Sequence, residues 1–322
     1  MAQTKRLLAH VSAVALAATA LTAAPAAAQG LLGAAQKGSF GAGGFSRYVP
    51  PVTHPTLNET PFITTELKPI YAYHEIPSDF LTGGGEVNVI AAQIRYAFSD
   101  RLGLIATTDG YSDLNFDGVL TDTDGFNDLT AGLKYAIYSN PSDGEIVTVG
   151  ARYTLPVGNI DTNSPLGNIE LNGTGNGYLD LFASGAKLYE GGTQVQGSIG
   201  VQIAMSNDNW SYVHAHVHVD HEIAPGFFPL LEANAIIPID GGNRIPAGPL
   251  DNLTGADLFD IGADDPDETL TVAAGFRYRF SENAIFGLAA EKNLIENDIN
   301  GVPGSESSVF DWRLTTDLTI HF

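Results

Sequence analysis

A chain of 322 residues with no cysteine and with 37 acidic against 15 basic residues can be excluded from several functional classes at once. Such acidity argues against nucleic acid as a partner and favours cations, and the absence of thiols excludes a disulfide-stapled domain and any thiolate chemistry. The 36 Gly and 17 Pro suit a fold with many turns, and no linker-like break in composition interrupts residues 61–322.

Residues 1–28 read as a Sec signal peptide. Lys5 and Arg6 form a basic start, residues 11–21 an apolar run, and Ala26-Ala27-Ala28 a small-residue cleavage site before Gln29. The run is too short and too Ala-rich to span a bilayer, and no later uncharged stretch reaches ~18 residues. The exported chain then carries about −24, and any membrane crossing must be made by strands. Residues 29–60, with Gly41-Ala42-Gly43-Gly44 and Pro50-Pro51, lack periodicity. They are expected to be either a periplasmic tail or a partial plug folded into a lumen.

From residue 61 onward an alternation of period two predicts strands. Twelve are expected: 61–75, 85–98, 101–110, 126–138, 144–156, 176–189, 193–205, 210–222, 227–238, 268–280, 283–293 and 306–322. Each is near the ~9–11 residues that cross an outer membrane. Every second connection is a short turn, such as Ser99-Asp100 or Ser281-Glu282. Most of the others are long: 76–84, 111–125, 157–175, 239–267 and 294–305. Tight periplasmic turns alternating with long extracellular loops are the pattern of an all-β, transmembrane antiparallel β-barrel of about 12 strands, spanning 61–322. An even strand number leaves both termini in the periplasm.

The faces follow from parity. Ile90, Ala92, Ile94, Tyr96 and Phe98 are predicted outward on one strand, as are Leu270, Val272, Ala274, Phe276, Tyr278 and Phe280 on another. Aromatics gather at strand ends as two girdles: Tyr96, Phe98, Tyr189, Phe228, Tyr278, Phe280 and Phe322 at the periplasmic rim, and Tyr73, Tyr178, Trp210, Tyr212, Phe310 and Trp312 at the outer rim. In the last thirteen residues Phe310, Trp312, Leu314, Thr316, Leu318, Ile320 and Phe322 share one face. This segment resembles the C-terminal signal strand of bacterial outer-membrane barrels, which closes on a terminal Phe. The resemblance implies the outer membrane of a Gram-negative bacterium, lipid contact, and the barrel assembly machinery as a partner. Residues 125–159 add Asp128-Leu129-Thr130, Gly132-Leu133-Lys134-Tyr135 and Leu155-Pro156-Val157-Gly158. These resemble the outer-membrane family associated with phenol degradation, the MetA-pathway family. That likeness implies a barrel passing small, aromatic-bearing molecules.

Three sets of residues could carry function. Lys68, Arg95, Lys134, Arg152, Arg277, Arg279 and Arg313 fall on inward positions, opposite Glu66, Asp180, Glu222, Glu232, Glu291, Asp311 and Asp317. Such rows line a selective pore or pair off to fill a narrow barrel. His214, His216 and His218 share the inward face at ~7 Å spacing. With Glu232 on the next strand they form either a metal site or a wet wall of titrating rings. Finally, Asp113, Asn115, Asp117, Val119 and Asp124 stand at positions one, three, five, seven and twelve of a calcium-loop pattern, with Gly118 at six. Calcium is the one cofactor expected, the alternative being a solvated acidic loop. No serine-nucleophile motif is present. The leading expectation is a passive channel for small solutes or ions. The alternatives are a plugged structural or surface-binding barrel with cation-binding loops, and a metal-dependent lipid-modifying enzyme built on the His row.

Overall fold

The computed structural model describes residues 36–322 except Leu166 and Pro246, and says nothing of the Asp109 side chain. The expected signal peptide and residues 29–35 lie outside the described residues. Apart from one 3-10 turn, Gly38–Phe40, all regular elements among the described residues are strands. In chain order they are β1 (Glu66–Ile76), β2 (Gly85–Ala97), β3 (Leu102–Phe116), β4 (Thr123–Phe126), β5 (Leu129–Asn140), β6 (Glu145–Leu155), β7 (Asp161–Ser164) and β8 (Gly167–Glu170). They continue with β9 (Tyr178–Leu188), β10 (Thr193–Ala204), β11 (Ser211–His221), β12 (Phe227–Asp240), β13 (Thr269–Ser281), β14 (Ala284–Asn293) and β15 (Trp312–His321).

Twelve of these strands, all but β4, β7 and β8, pair antiparallel with their chain neighbours. β1 meets β15 in the register Glu66↔His321 to Glu75↔Trp312, which closes the cylinder. Closure leaves none of the twelve strands at an edge, the condition for strands to cross a bilayer with all backbone donors paired. β4 extends β3 above the membrane, and β7 and β8 form a separate hairpin within the connection from β6 to β9.

The period-two patterning of the chain becomes two opposed surfaces. Outward residues are apolar and open: Leu231 is 65% exposed, Phe280 63%, Ile90 60% and Ile94 50%. A belt of this size would aggregate in water and is stable against lipid tails. Tyr73 packs on Trp312 (ring centroids 5.3 Å) at one rim and Tyr278 on Phe280 (4.9 Å) at the other. Five residues expected in the girdles turn inward instead. Tyr178, Trp210, Tyr212 and Phe310 are all buried. Tyr212 shares parity with the inward His214, and Phe310 precedes β15, so strand alternation does not govern it. Phe228 is also buried, under the Arg279 guanidinium 5.2 Å from its ring.

The barrel is not hollow. Residues 36–65 run inside it, and β1 begins only at Glu66, five residues later than the alternation suggests. At the periplasmic end Phe40, Phe45, Tyr48 and Phe62 cluster ring on ring, with Phe45 and Phe62 at 5.2 Å, against Ala97, Ala136 and Ile146 of the wall. At the other end the long connections fold over the mouth. Their apolar residues Leu253, Ile261, Ile299 and Val309 join Ile76, Val87 and Leu114 of the strands in a second core.

Candidate functional site in the lumen

The inner segment is held by the cations that parity places on the wall. The Glu59 carboxylate accepts from Arg95 Nε (2.8 Å) and Nη2 (2.9 Å) and from Lys134 Nζ (2.7 Å). Arg95 also reaches Glu66 at 2.5 Å. Lys134 caps the carbonyls of Thr60 (2.9 Å) and Phe62 (2.6 Å). Arg277 donates to the carbonyls of Pro50 (2.9 Å) and Pro51 (2.5 Å) and pairs with Asp317. Lys68 joins the same group, 3.3 Å from the Pro51 carbonyl. Arg152 bonds Asp180 and the carbonyls of Thr56 and Leu57. Glu232 works in the opposite sense, accepting from the backbone N–H of Val52 (2.8 Å) and Thr53 (2.7 Å). A segment without secondary structure thus finds partners for its backbone on the wall, as buried peptide groups require.

Glycine makes room for these long side chains. A Cβ on Gly287 would lie 2.2 Å from Arg277 Nη1, and one on Gly200 2.3 Å from His214 Nε2. Both positions face side chains crossing the lumen from a neighbouring strand.

The His row lies on this inner wall, where no membrane lipid reaches it. His214 Nε2 is 3.0 Å from Asp180, and its Nδ1 3.1 Å from His216 Nε2. His216 Nδ1 is 2.9 Å from Asn234 Oδ1, and His218 lies between Glu232 (2.7 Å) and Asp220 (3.0 Å). His214 and His216 are thus joined ring to ring, while His218 is held by two carboxylates. Among the described residues no group of three or more His, Cys, Asp or Glu converges on a metal position.

The acidic repeat takes a form different from the one its spacing suggested. Asp113 and Asn115 belong to β3, and Asp113 stands directly across from Asp124 of β4. The segment is therefore a β-hairpin, which extends the oxygens along a strand instead of winding them round an ion. Asp124 accepts from the Tyr111 hydroxyl, Asp122 accepts from the Phe116 N–H, and Val119 turns at φ 48° in the connection. Asp117 follows the end of β3, and its carboxylate lies beside Gly84 in the connection that leads into β2.

Two expected pore-lining carboxylates also lie elsewhere. Asp311 precedes β15 and pairs with Lys292 at the outer rim, where it is partly exposed to solvent. Glu222 sits in the periplasmic turn after β11, where it accepts from the Gly226 N–H at 2.9 Å. Arg279 is half-buried at the periplasmic mouth and bonds the Tyr48 carbonyl (3.0 Å). Lys68, Arg95, Lys134, Arg152, Asp180, Arg277, Glu291, Arg313 and Asp317 do face the lumen and are buried.

Sequence parity missed the connection from β12 to β13, residues 241–268, which folds down into the barrel. Its Asp257 takes a two-pronged bond from Arg313 (2.8 and 2.5 Å). Its Asp260 accepts from the Tyr178 hydroxyl (2.7 Å) and the Trp210 N–H (3.0 Å). Between this connection and the Pro55-Thr56-Leu57 stretch of the inner segment remains a cavity of about 160 Å³. Tyr178, Trp210, Tyr212 and Phe259 form its aromatic side, and Arg152 and Arg313 its cationic side. A length of 28 residues and the run Asp264-Asp265-Pro266-Asp267 read as a solvated loop; no period marks the part that turns inward.

The fold and the apolar belt define the class: the chain is an outer-membrane β-barrel. Among solved structures it is similar to an outer-membrane channel from Pseudomonas putida F1, at 16% identity and a TM-score of 0.56, covering 85% of this chain and 100% of that one. Weaker likenesses are to the transport unit of the autotransporter AIDA-I from Escherichia coli (10% identity, TM-score 0.49, 86% and 94% covered) and to the NanC porin (7%, 0.46, 80% and 100%). At these identities the likeness is one of fold. No family model matches the chain. No curated protein matches it either.

Proposed function

We propose that the protein is an outer-membrane channel for small solutes, held closed by residues 36–65 as a plug. The observation that carries this reading is the chemistry of the plug's grip. A barrel filled for stability alone is packed with side chains of its own wall. Here residues 47–59 are held largely by polar bonds from Arg95, Lys134, Arg152, Arg277 and Glu232 to a carboxylate, backbone carbonyls and backbone N–H groups. Water can replace each of these bonds when the segment withdraws, and the wall left behind is a charged lining suited to a hydrated pore. The apolar cluster at Phe40, Phe45, Tyr48 and Phe62 then anchors the base at the periplasmic mouth. The aromatic side of the cavity, with the resemblance of residues 125–159 noted above, supports ring-bearing solutes of small size as the permeants.

The test is deletion of residues 36–60 behind the signal peptide. In planar bilayers the full chain should give rare, small conductance steps and the deletion variant sustained, larger ones. An assembled deletion variant that conducts no better than the full chain would overturn the channel reading in favour of a structural barrel.

A further inference from the structure

His54 occupies the tip of the inner segment, wholly buried, at a φ of 47° that β-carbon sterics disfavour outside glycine. Its carbonyl accepts the N–H of Leu57 (3.0 Å) and Asn58 (2.8 Å), which turns the chain back toward β1. The ring reaches across to two different elements. Nε2 lies 2.8 Å from Glu291 on β14, and Nδ1 lies 3.2 Å from Asp257 on the inward-folded connection, the latter an ionic contact without hydrogen-bond alignment. Asp257 is itself fixed to β15 by Arg313. The residue before it, Ala256, is at φ 52°, a second strained non-glycine directly beside the contact.

The remaining neighbours leave the ring little alternative position. Phe310 stacks parallel to it (6.4 Å, 2°), and His216 of β11 lies 5.4 Å away. His74 of β1 packs edge-on against Phe310 at 4.7 Å and accepts from Arg313 at 3.3 Å. Residues 241–268 are in turn sewn to the last connection: the Thr254 N–H bonds the Ser307 carbonyl (2.9 Å), and Val309 returns a bond to Thr254 (3.1 Å). A continuous path runs from the extracellular connections through Asp257 to the periplasmically anchored segment.

We infer that His54 is a latch coupling the extracellular connection 241–268 to the plug, so that the two loosen together and neither moves freely while the other is seated. Two strained backbones that meet at one buried ionic contact form a bistable junction, in which strain held by the contact favours release once the contact opens. As a statement about gating, this rests on the channel reading above. The coupling itself is a property of the closed barrel and is read without conduction.

Hydrogen–deuterium exchange on the full chain in detergent tests it. His54→Ala should speed exchange about ten-fold both in residues 48–60 and in residues 250–262, and Asp257→Ala should do the same. The double variant should fall well short of the sum of the singles, because both remove the His54–Asp257 contact, while His54→Ala alone also loses Glu291 and Asp257→Ala alone also frees Arg313. If Asp257→Ala fails to give a barrel that resists SDS until heated, Asp257→Asn retains the shape, breaks the ionic contact and supplies the same readout. Faster exchange confined to each variant's own segment, or effects that simply add, would overturn the latch. Loss of conductance in every variant with coupling intact would count against the channel and leave the latch standing.

Discussion

Glu59 shows how residue chemistry decides the state of this barrel. Its carboxylate faces Arg95 and Lys134 from two different strands, all three buried. Removing one member of such a group strands the others in a medium that solvates charge poorly, typically at about 3–5 kcal/mol. Arg95 retains Glu66, so Lys134 suffers most. Glu59→Ala should therefore free the inner segment while the barrel stays closed. Limited proteolysis should cut residues 47–62 in the variant and spare them in the parent, with both resisting SDS until heated; equal resistance would show that the bonds from Arg152, Arg277 and Glu232, with the aromatic base, hold the plug without Glu59. The inward rows of Lys and Arg were legible from parity because a strand leaves a side chain only two directions. Asp311, Glu222 and Phe310 were misplaced because each sits just beyond a strand end, where alternation no longer binds orientation.

At the scale of elements, most strands were legible to within about three residues, but β3 runs on to Phe116 past its expected end at 110 and β15 starts at Trp312 in place of 306, and the connections were legible only in length. The inner segment and residues 241–268 have no period, and their folds follow from partners far away in sequence, such as Arg277 for Pro50 or Arg313 for Asp257. The acidic repeat was illegible for a related reason: Tyr111 to Leu114 pairs with Thr123 to Phe126, so a spacing that reads as a coil in sequence is laid out along a β-ladder. The last connection, residues 294–311, carries its own prediction. Glu306 bonds the Asp79 carbonyl through its N–H (3.0 Å), and its carboxylate accepts from the Ser308 N–H (3.1 Å). Burial pushes its carboxyl up from the usual 4.5 to about 7, with Asp79 and Glu296 adding to the shift. A raised value in the folded connection means the folded state binds the proton more tightly. The associated stability is complete below about 4.5 and is lost as pH rises through about 7. Exchange protection of residues 294–311, corrected for intrinsic rates, should fall between pH 5 and pH 8. Glu306→Gln should flatten that profile; an unchanged slope would assign it to another group.

The whole molecule divides its charge unevenly between wall and mouth. The lumen holds nearly balanced rows, with Lys68, Arg95, Lys134, Arg152, Arg277 and Arg313 against Glu66, Asp180, Asp220, Glu232, Glu291 and Asp317. About half of the chain's 37 acidic residues lie in the extracellular connections, where Arg244 is the one Lys or Arg. The fixed field of an opened barrel therefore comes mainly from its outer vestibule, and such a field concentrates cations at the entrance. It acts over a Debye length, ~10 Å at 0.1 M salt and ~3 Å at 1 M, so at high salt it no longer reaches the centre of the mouth. The variant lacking residues 36–60 should prefer cations in dilute potassium chloride and lose most of that preference near 1 M, as reversal potentials across a salt gradient would report. A preference for anions at low salt would instead mean that the wall cations uncovered by the missing plug, Arg95 and Lys134 first among them, govern selectivity from within.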